Sequence, residues 1–109
     1  MEKVFNKLVR DKIPEIIENN NEIPTTRILT NEEYKKELLK KLLEEYNEVL
    51  KANNKEILEE LADMLEVIDA IARNENSSLE EIMRIKDEKK QKRGGFSKKI
   101  LLIKTNSRN

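Results

Sequence analysis

Two long stretches in the middle of the chain carry apolar residues at helical spacing. The first stretch is introduced by Thr30-Asn31-Glu32-Glu33, which matches a capping box and predicts a helix start at this point. At 100° per residue its apolar positions fall on one face. They are Leu38, Leu39, Leu42, Leu43, Tyr46, Val49 and Leu50. The pattern predicts a helix that runs to about Ala52 and places Tyr46 in the core.

The second stretch predicts a helix over about Lys55 to Arg73, after a break at Asn53-Asn54. Its apolar face is broader than that of the first helix. The face consists of Ile57, Leu58, Leu61, Met64, Leu65, Val67, Ile68 and Ile71. Such a wide face favours contact with more than one helix, as in a helix bundle or a dimer core.

Shorter elements are expected on either side of this pair. Asp11 is a candidate cap for a short helix that continues through Pro14 to about Asn19, because proline is tolerated in a first helical turn. Ser77 or Ser78 is expected to cap a third long helix.

Gly94-Gly95 should end that third helix, because glycine is favoured just after a helix C-terminus. Thr25–Leu29 and Phe96–Lys104 favour β structure and are predicted to pair as two short strands. The expected fold class is therefore mainly all-α, with one small two-stranded β element. Residues 1–109 are expected to form one domain, in which residues 105–109 are frayed.

Composition narrows the possible chemistry. Lys and Arg together number 22, as do Asp and Glu, so no net charge favours a nucleic-acid polymer or an anionic membrane. The chain has neither Cys nor His, so any metal must be held by oxygen, which favours Mg²⁺ or Mn²⁺ over Zn²⁺. No apolar run approaches the roughly 18 residues of a membrane span, and a cytoplasmic location is expected. Hydrophobic residues make up 37% of the chain, a thin core for one subunit, which favours an oligomer.

Two acidic pairs border the apolar faces of the two central helices. They are Glu45 with Glu48, and Glu60 with Asp63. Residues three apart share a helix face, so an antiparallel hairpin would bring four carboxylates together. A hard divalent cation with oxygen ligands is the natural neutraliser of such a group. The alternative is that these pairs are ordinary solvated surface, as is common in Glu-rich helices.

Basic residues cluster near both ends of the chain. Lys7, Arg10 and Lys12 could bind phosphate through charge-assisted hydrogen bonds, and so could a second group, Lys89, Lys92 and Arg93. The alternative for the first group is plain surface charge. For the second it is a helix end whose cations complement the helix dipole.

The chain also resembles a known family. Asn6–Ile17 (NKLVRDKIPEII) resembles the opening signature of phosphoribosyl-ATP pyrophosphohydrolase-like proteins, which belong to the MazG-like superfamily of all-α nucleoside triphosphate pyrophosphohydrolases. Three later stretches fit the same group in the same order: Lys41–Glu48, Glu59–Glu66 and Lys89–Phe96. The superfamily pattern of ExxE, a spacer and ExxD is matched by the two acidic pairs, with a short spacer.

This resemblance implies a fold and an activity. Family members form α-helical hairpins that assemble into dimers or tetramers. They are hydrolases of phosphoric anhydride bonds that cleave a nucleotide between the α- and β-phosphates. The resemblance implies Mg²⁺ held by Glu45, Glu48, Glu60 and Asp63, and a triphosphate bound by the two basic groups. Glu44 or Glu48 would accept the proton of the attacking water.

Two other functions stay open at this point. A catalytically degenerate relative would bind a nucleotide without cleaving it, and a helical interaction protein would use its acidic pairs only as surface. The residues do not specify the base or the sugar of a nucleotide substrate.

Overall fold

The computed structural model describes residues 1–108. Within them the chain forms four helices: α1 (Ile13–Asn19), α2 (Asn31–Lys51), α3 (Ile57–Asn74) and α4 (Leu79–Arg93). None of these residues is in a strand, so the all-α class is confirmed. The chain divides into two compact units, Met1–Leu79 and a second that begins at Glu80. The predicted fraying of residues 105–109 includes Asn109, which lies outside the described residues.

The capping box at the start of α2 is present as predicted. The Thr30 side-chain oxygen accepts a hydrogen bond from the Glu33 amide at 3.2 Å, and the Glu33 carboxylate accepts one from the Thr30 amide at 3.0 Å. Arg27 adds two bonds to the same carboxylate, at 3.0 and 2.7 Å. The bonds from Arg27 and from the Thr30 backbone lower the pKa of Glu33 to about 2.

Helices α1 and α3 end in the same way, on an asparagine in the left-handed region. Asn21 has φ 64° and Asn76 has φ 58°, a conformation that asparagine tolerates better than most residues. After α3 the amide of Asn76 donates to the carbonyl of Arg73, and that of Ser77 donates to Ala72. The same two bonds close α1, so both ends are Schellman motifs that satisfy the last carbonyls.

Helices α2 and α3 form an antiparallel hairpin, since Lys35 near the start of α2 pairs with Glu75 after the end of α3 at 3.2 Å. The loop between them is held by Asn53, whose side-chain oxygen accepts hydrogen bonds from the amides of Lys55 and Glu56, both at 3.0 Å. This turn occupies residues 54–56, so α3 begins at Ile57 and not at Lys55 as predicted.

The buried core of the described residues is small. It consists of Leu38, Val67 and Ala72, which are 3%, 8% and 5% exposed. Other large apolar residues of the hairpin remain accessible, among them Leu43, Leu58 and Tyr46. Tyr46, predicted to lie in the core, is 46% exposed in the single chain and is not part of this buried core.

The predicted two-stranded element is wrong. Thr25–Leu29 and Phe96–Lys104 form neither strand nor helix among the described residues. Their apolar side chains are almost fully accessible, with Ile28 95% and Phe96 98% exposed. β-favouring side chains stabilise a strand only when they pack against a neighbour, and these side chains have none in place.

The start of α1 and the two ends of α4 can be compared with the predicted helix caps. Asp11 is not the cap of α1, since Lys12 occupies that position and its side chain makes no capping bond. Helix α4 begins directly after Ser78 and ends before Gly94, whose φ is 82° and whose amide donates to the carbonyl of Lys90 at 2.7 Å. None of the helices in residues 1–108 is long and apolar enough to cross a membrane.

Candidate metal centre

Three of the four predicted carboxylates converge between α2 and α3. Glu45 of α2 and Glu60 and Asp63 of α3 each offer an oxygen, and these oxygens lie within 4.8 Å of one another. We call these three residues the acidic cluster. All three are partly buried, because each borders the apolar contact between the helices.

The spacing and chemistry of the acidic cluster fit a hard divalent cation. Oxygens bound to one Mg²⁺ at about 2.1 Å are separated by roughly 3 to 4 Å, which small side-chain movements could reach from the present distances. The donor set contains only carboxylate oxygen, the ligand type that Mg²⁺ and Mn²⁺ prefer. The residues present therefore suit such an ion.

Glu60 lies in the field of several neighbouring carboxylates. Its pKa is raised from the ordinary value by partial burial and by the negative charges of Asp63, Glu48 and Glu45. Glu48 is exposed and is not one of the three converging residues, but its charge acts on Glu60. Glu48 therefore lies at the edge of the acidic cluster.

Glu44 has a different environment from the acidic cluster. It is held by Lys7 at 3.1 Å and by Lys41 at 3.2 Å. Partial burial opposes ionisation of Glu44, but the hydrogen bonds and charges of the two lysines outweigh it and lower its pKa. Lys41 also lies 3.7 Å from Glu45. Sequence reasoning missed Lys41, although its spacing of three and four residues from these glutamates is a recognisable helical ion-pair signal.

The segment before α1 contacts the acidic face of the hairpin through two cations. Arg10 donates to Asp63 at 2.8 Å, and Lys7 donates to Glu44. Two residues of the first predicted basic group are thus next to the carboxylates. Lys12, the third member, is exposed and makes no ion pair within residues 1–108.

The second predicted basic group belongs to the other unit. Lys89, Lys92 and Arg93 lie in the last turns of α4, and all three are exposed. Cations in this position complement the negative end of the helix dipole, as the alternative interpretation holds. Phosphate binding by this group stays a prediction.

Comparisons with protein-family models, with curated proteins and with solved structures gave no match. The chain's own residues and its sequence resemblance are therefore the only basis for a proposed function.

Proposed function

We propose that the protein is a Mg²⁺-dependent nucleotide pyrophosphohydrolase of the MazG-like, phosphoribosyl-ATP pyrophosphohydrolase-like type. The reaction would cleave the bond between the α- and β-phosphates of a nucleoside triphosphate or phosphoribosyl-ATP-like substrate, giving a monophosphate and pyrophosphate. The observation that carries the proposal is the convergence of Glu45, Glu60 and Asp63 beside the cations Lys7 and Arg10.

Phosphoryl chemistry needs charge neutralisation and a positioned water more than it needs a reactive side chain. Glu45, Glu60 and Asp63 would hold Mg²⁺, or Mn²⁺ in its place, and Glu48, which the sequence resemblance adds as a fourth ligand, lies at the edge of this group. Bound there, the ion would neutralise phosphate oxygens and lower the pKa of a water. The lack of His is no obstacle, because carboxylates can accept the proton.

Glu48 is the better of the two candidate general bases. No ion pair engages it within the described part of the chain, and its side chain is exposed to solvent. Glu44, in contrast, is paired with Lys7 and Lys41, and these contacts lower its pKa. A carboxylate held in this way is a poor proton acceptor, so Glu44 would serve to position the two lysines.

The proposal includes a homodimer or homotetramer. Its support is the small buried core together with the exposed apolar side chains on both helices of the hairpin. A second hairpin placed against these side chains would remove them from water, which is the main driving force for association. Membranes and nucleic-acid polymers are not proposed partners.

The first test is pyrophosphate release from a panel of nucleoside triphosphates and phosphoribosyl-ATP, with Mg²⁺ and with a chelator. We expect chelator-sensitive release from at least one substrate. Glu45→Gln and Asp63→Asn should each lower the rate by roughly 100-fold or more, because each removes a charged ligand. Circular dichroism should show unchanged helical content in both variants.

Glu59→Gln is the matched control, since Glu59 is an exposed residue of α3 outside the acidic cluster. Full activity in both Glu45→Gln and Asp63→Asn would place the chemistry elsewhere. Nucleotide binding without any pyrophosphate release would instead indicate a non-catalytic nucleotide-binding protein.

A further inference from the structure

The contact between Arg10 and Asp63 has a consequence for cation binding. Asp63 is one of the three carboxylates of the acidic cluster, and its oxygen accepts a hydrogen bond from Arg10 at 2.8 Å. Arg10 thus supplies positive charge at the position where a divalent ion would need the same carboxylate.

Arg10 and a divalent ion would bind the Asp63 carboxylate with unequal strength. Arg10 makes one contact, and both partners are about half exposed, with side-chain accessibilities of 57% and 44%. Exposed ion pairs of this kind contribute little to stability. A divalent ion would engage Glu45 and Glu60 as well as Asp63, because the three residues each offer an oxygen and these oxygens lie within 4.8 Å of one another. We therefore expect the ion to displace Arg10 from the Asp63 carboxylate.

Lys7 keeps the segment in place when that happens. Its partner is Glu44, which is not a member of the acidic cluster and so is not required by the ion. The segment from Lys7 to Arg10 would then stay on the hairpin while the guanidinium group turns away from Asp63.

We propose that Arg10 is the counter-ion of Asp63 in the metal-free protein, that a divalent cation displaces it, and that the released guanidinium binds the polyphosphate of the substrate. This inference rests on the proposed function and adds an order of events to it. Metal binding comes first and frees the Arg10 guanidinium to bind an anion. Guanidinium is well suited to bidentate contacts with phosphate.

Mn²⁺ affinity provides the first test, measured by calorimetry or by electron paramagnetic resonance without nucleotide. Arg10→Gln removes the competitor and should bind Mn²⁺ about two- to five-fold more tightly than the unaltered protein. Arg27→Gln is the matched control, because Arg27 is an exposed arginine whose partner, Glu33, lies outside the acidic cluster. An Arg10→Gln affinity equal to or weaker than that of the unaltered protein would overturn the inference.

Limited trypsin digestion provides a readout of the displacement itself. Cleavage after Arg10 should become faster when Mn²⁺ is added and slower again with chelator, while cleavage after Arg27 serves as the internal control. Inorganic pyrophosphate should then bind the Mn²⁺-loaded unaltered protein more tightly than loaded Arg10→Gln. Unchanged cleavage after Arg10, or equal pyrophosphate affinity, would count against the proposed release.

The two proposals fail in distinguishable ways. If Mn²⁺ binds and supports pyrophosphate release but Arg10→Gln behaves like the unaltered protein, only the displacement inference falls. If neither the unaltered protein nor Arg10→Gln binds Mn²⁺, the metal centre falls and the displacement with it.

Discussion

At the residue scale, Glu60 carries a charge that the fold of the metal-free protein disfavours. Its raised pKa means that the folded state holds the proton of Glu60 more tightly than the unfolded chain does. The contribution of Glu60 to stability is therefore fully present below its ordinary pKa of 4.5 and is lost as the pH rises through the folded value. At neutral pH the charged side chain destabilises the fold.

Glu60→Gln should for this reason stabilise the metal-free protein at pH 7. The gain over the unaltered protein should shrink as the pH is lowered towards 4, because Glu60 then becomes neutral as well. Urea denaturation followed by circular dichroism at several pH values measures the difference. Glu59→Gln is again the control, and its stability relative to the unaltered protein should not increase with pH. Equal stability of Glu60→Gln and the unaltered protein at pH 7 would contradict the account.

At the element scale, the start of α2 depends on a small set of hydrogen bonds. Thr30 and Glu33 exchange bonds with each other's backbone, and Arg27 holds the Glu33 carboxylate in place. The amides at a helix start have no partner within the helix, so the threonine oxygen satisfies a donor that would otherwise need water.

Thr30→Ala should lower the free energy of unfolding by about 1 kcal/mol, since it removes the oxygen that caps the helix. Thr30→Ser keeps that oxygen and should stay close to the unaltered protein. Chemical denaturation of the three proteins under the same conditions measures the effect. A loss of equal size in Thr30→Ser would show that the methyl group of Thr30 matters and the cap does not.

Features that depend on neighbouring residues could be predicted from sequence, and features that depend on distant ones could not. The capping box at Thr30 and the helix end at Gly94 follow from local backbone chemistry. The contact between Arg10 and Asp63 joins residues 53 positions apart, and no local pattern specifies such a partner. The strand predicted over Thr25–Leu29 failed for a related reason, because propensity cannot supply the neighbour that a strand requires.

The acidic cluster lies between these two cases. Helical spacing predicted that Glu60 and Asp63 share a face, and the expected hairpin predicted that Glu45 would meet them. Glu48, in contrast, lies outside the converging set, although it is only three residues from Glu45. Spacing within one helix cannot specify which of two neighbouring carboxylates meets the other helix.

At the scale of the whole molecule, the single chain leaves much apolar surface in contact with water. Leu43 is 60% exposed on α2, and Leu58 is 75% exposed on α3. Contiguous exposed apolar surface on a small protein usually marks an interaction site. This surface is the physical basis for the proposed oligomer.

If the proposed oligomer forms through this surface, Leu43→Glu should shift it towards the monomer mass of 12.9 kDa, because a carboxylate would have to be buried at the interface. Light scattering coupled to size-exclusion chromatography measures the mass. Lys51→Glu, a larger charge change at an exposed position of the same helix, should leave the mass unchanged. A monomeric unaltered protein, or an oligomer that survives Leu43→Glu, would argue against an interface through this face.

The uneven position of the three buried residues also affects how the hairpin fluctuates. Leu38 lies early in α2, whereas Val67 and Ala72 lie late in α3, so the buried contacts gather at the open end, away from the loop around Asn53. The free energy of local opening rises with the apolar contacts that must be broken, so the part of the hairpin around the buried residues should separate least readily. Glu45, Glu60 and Asp63 lie closer to the loop, outside this buried group. We therefore expect the spacing of these carboxylates to adjust to a bound ion while the three buried residues keep the two helices together.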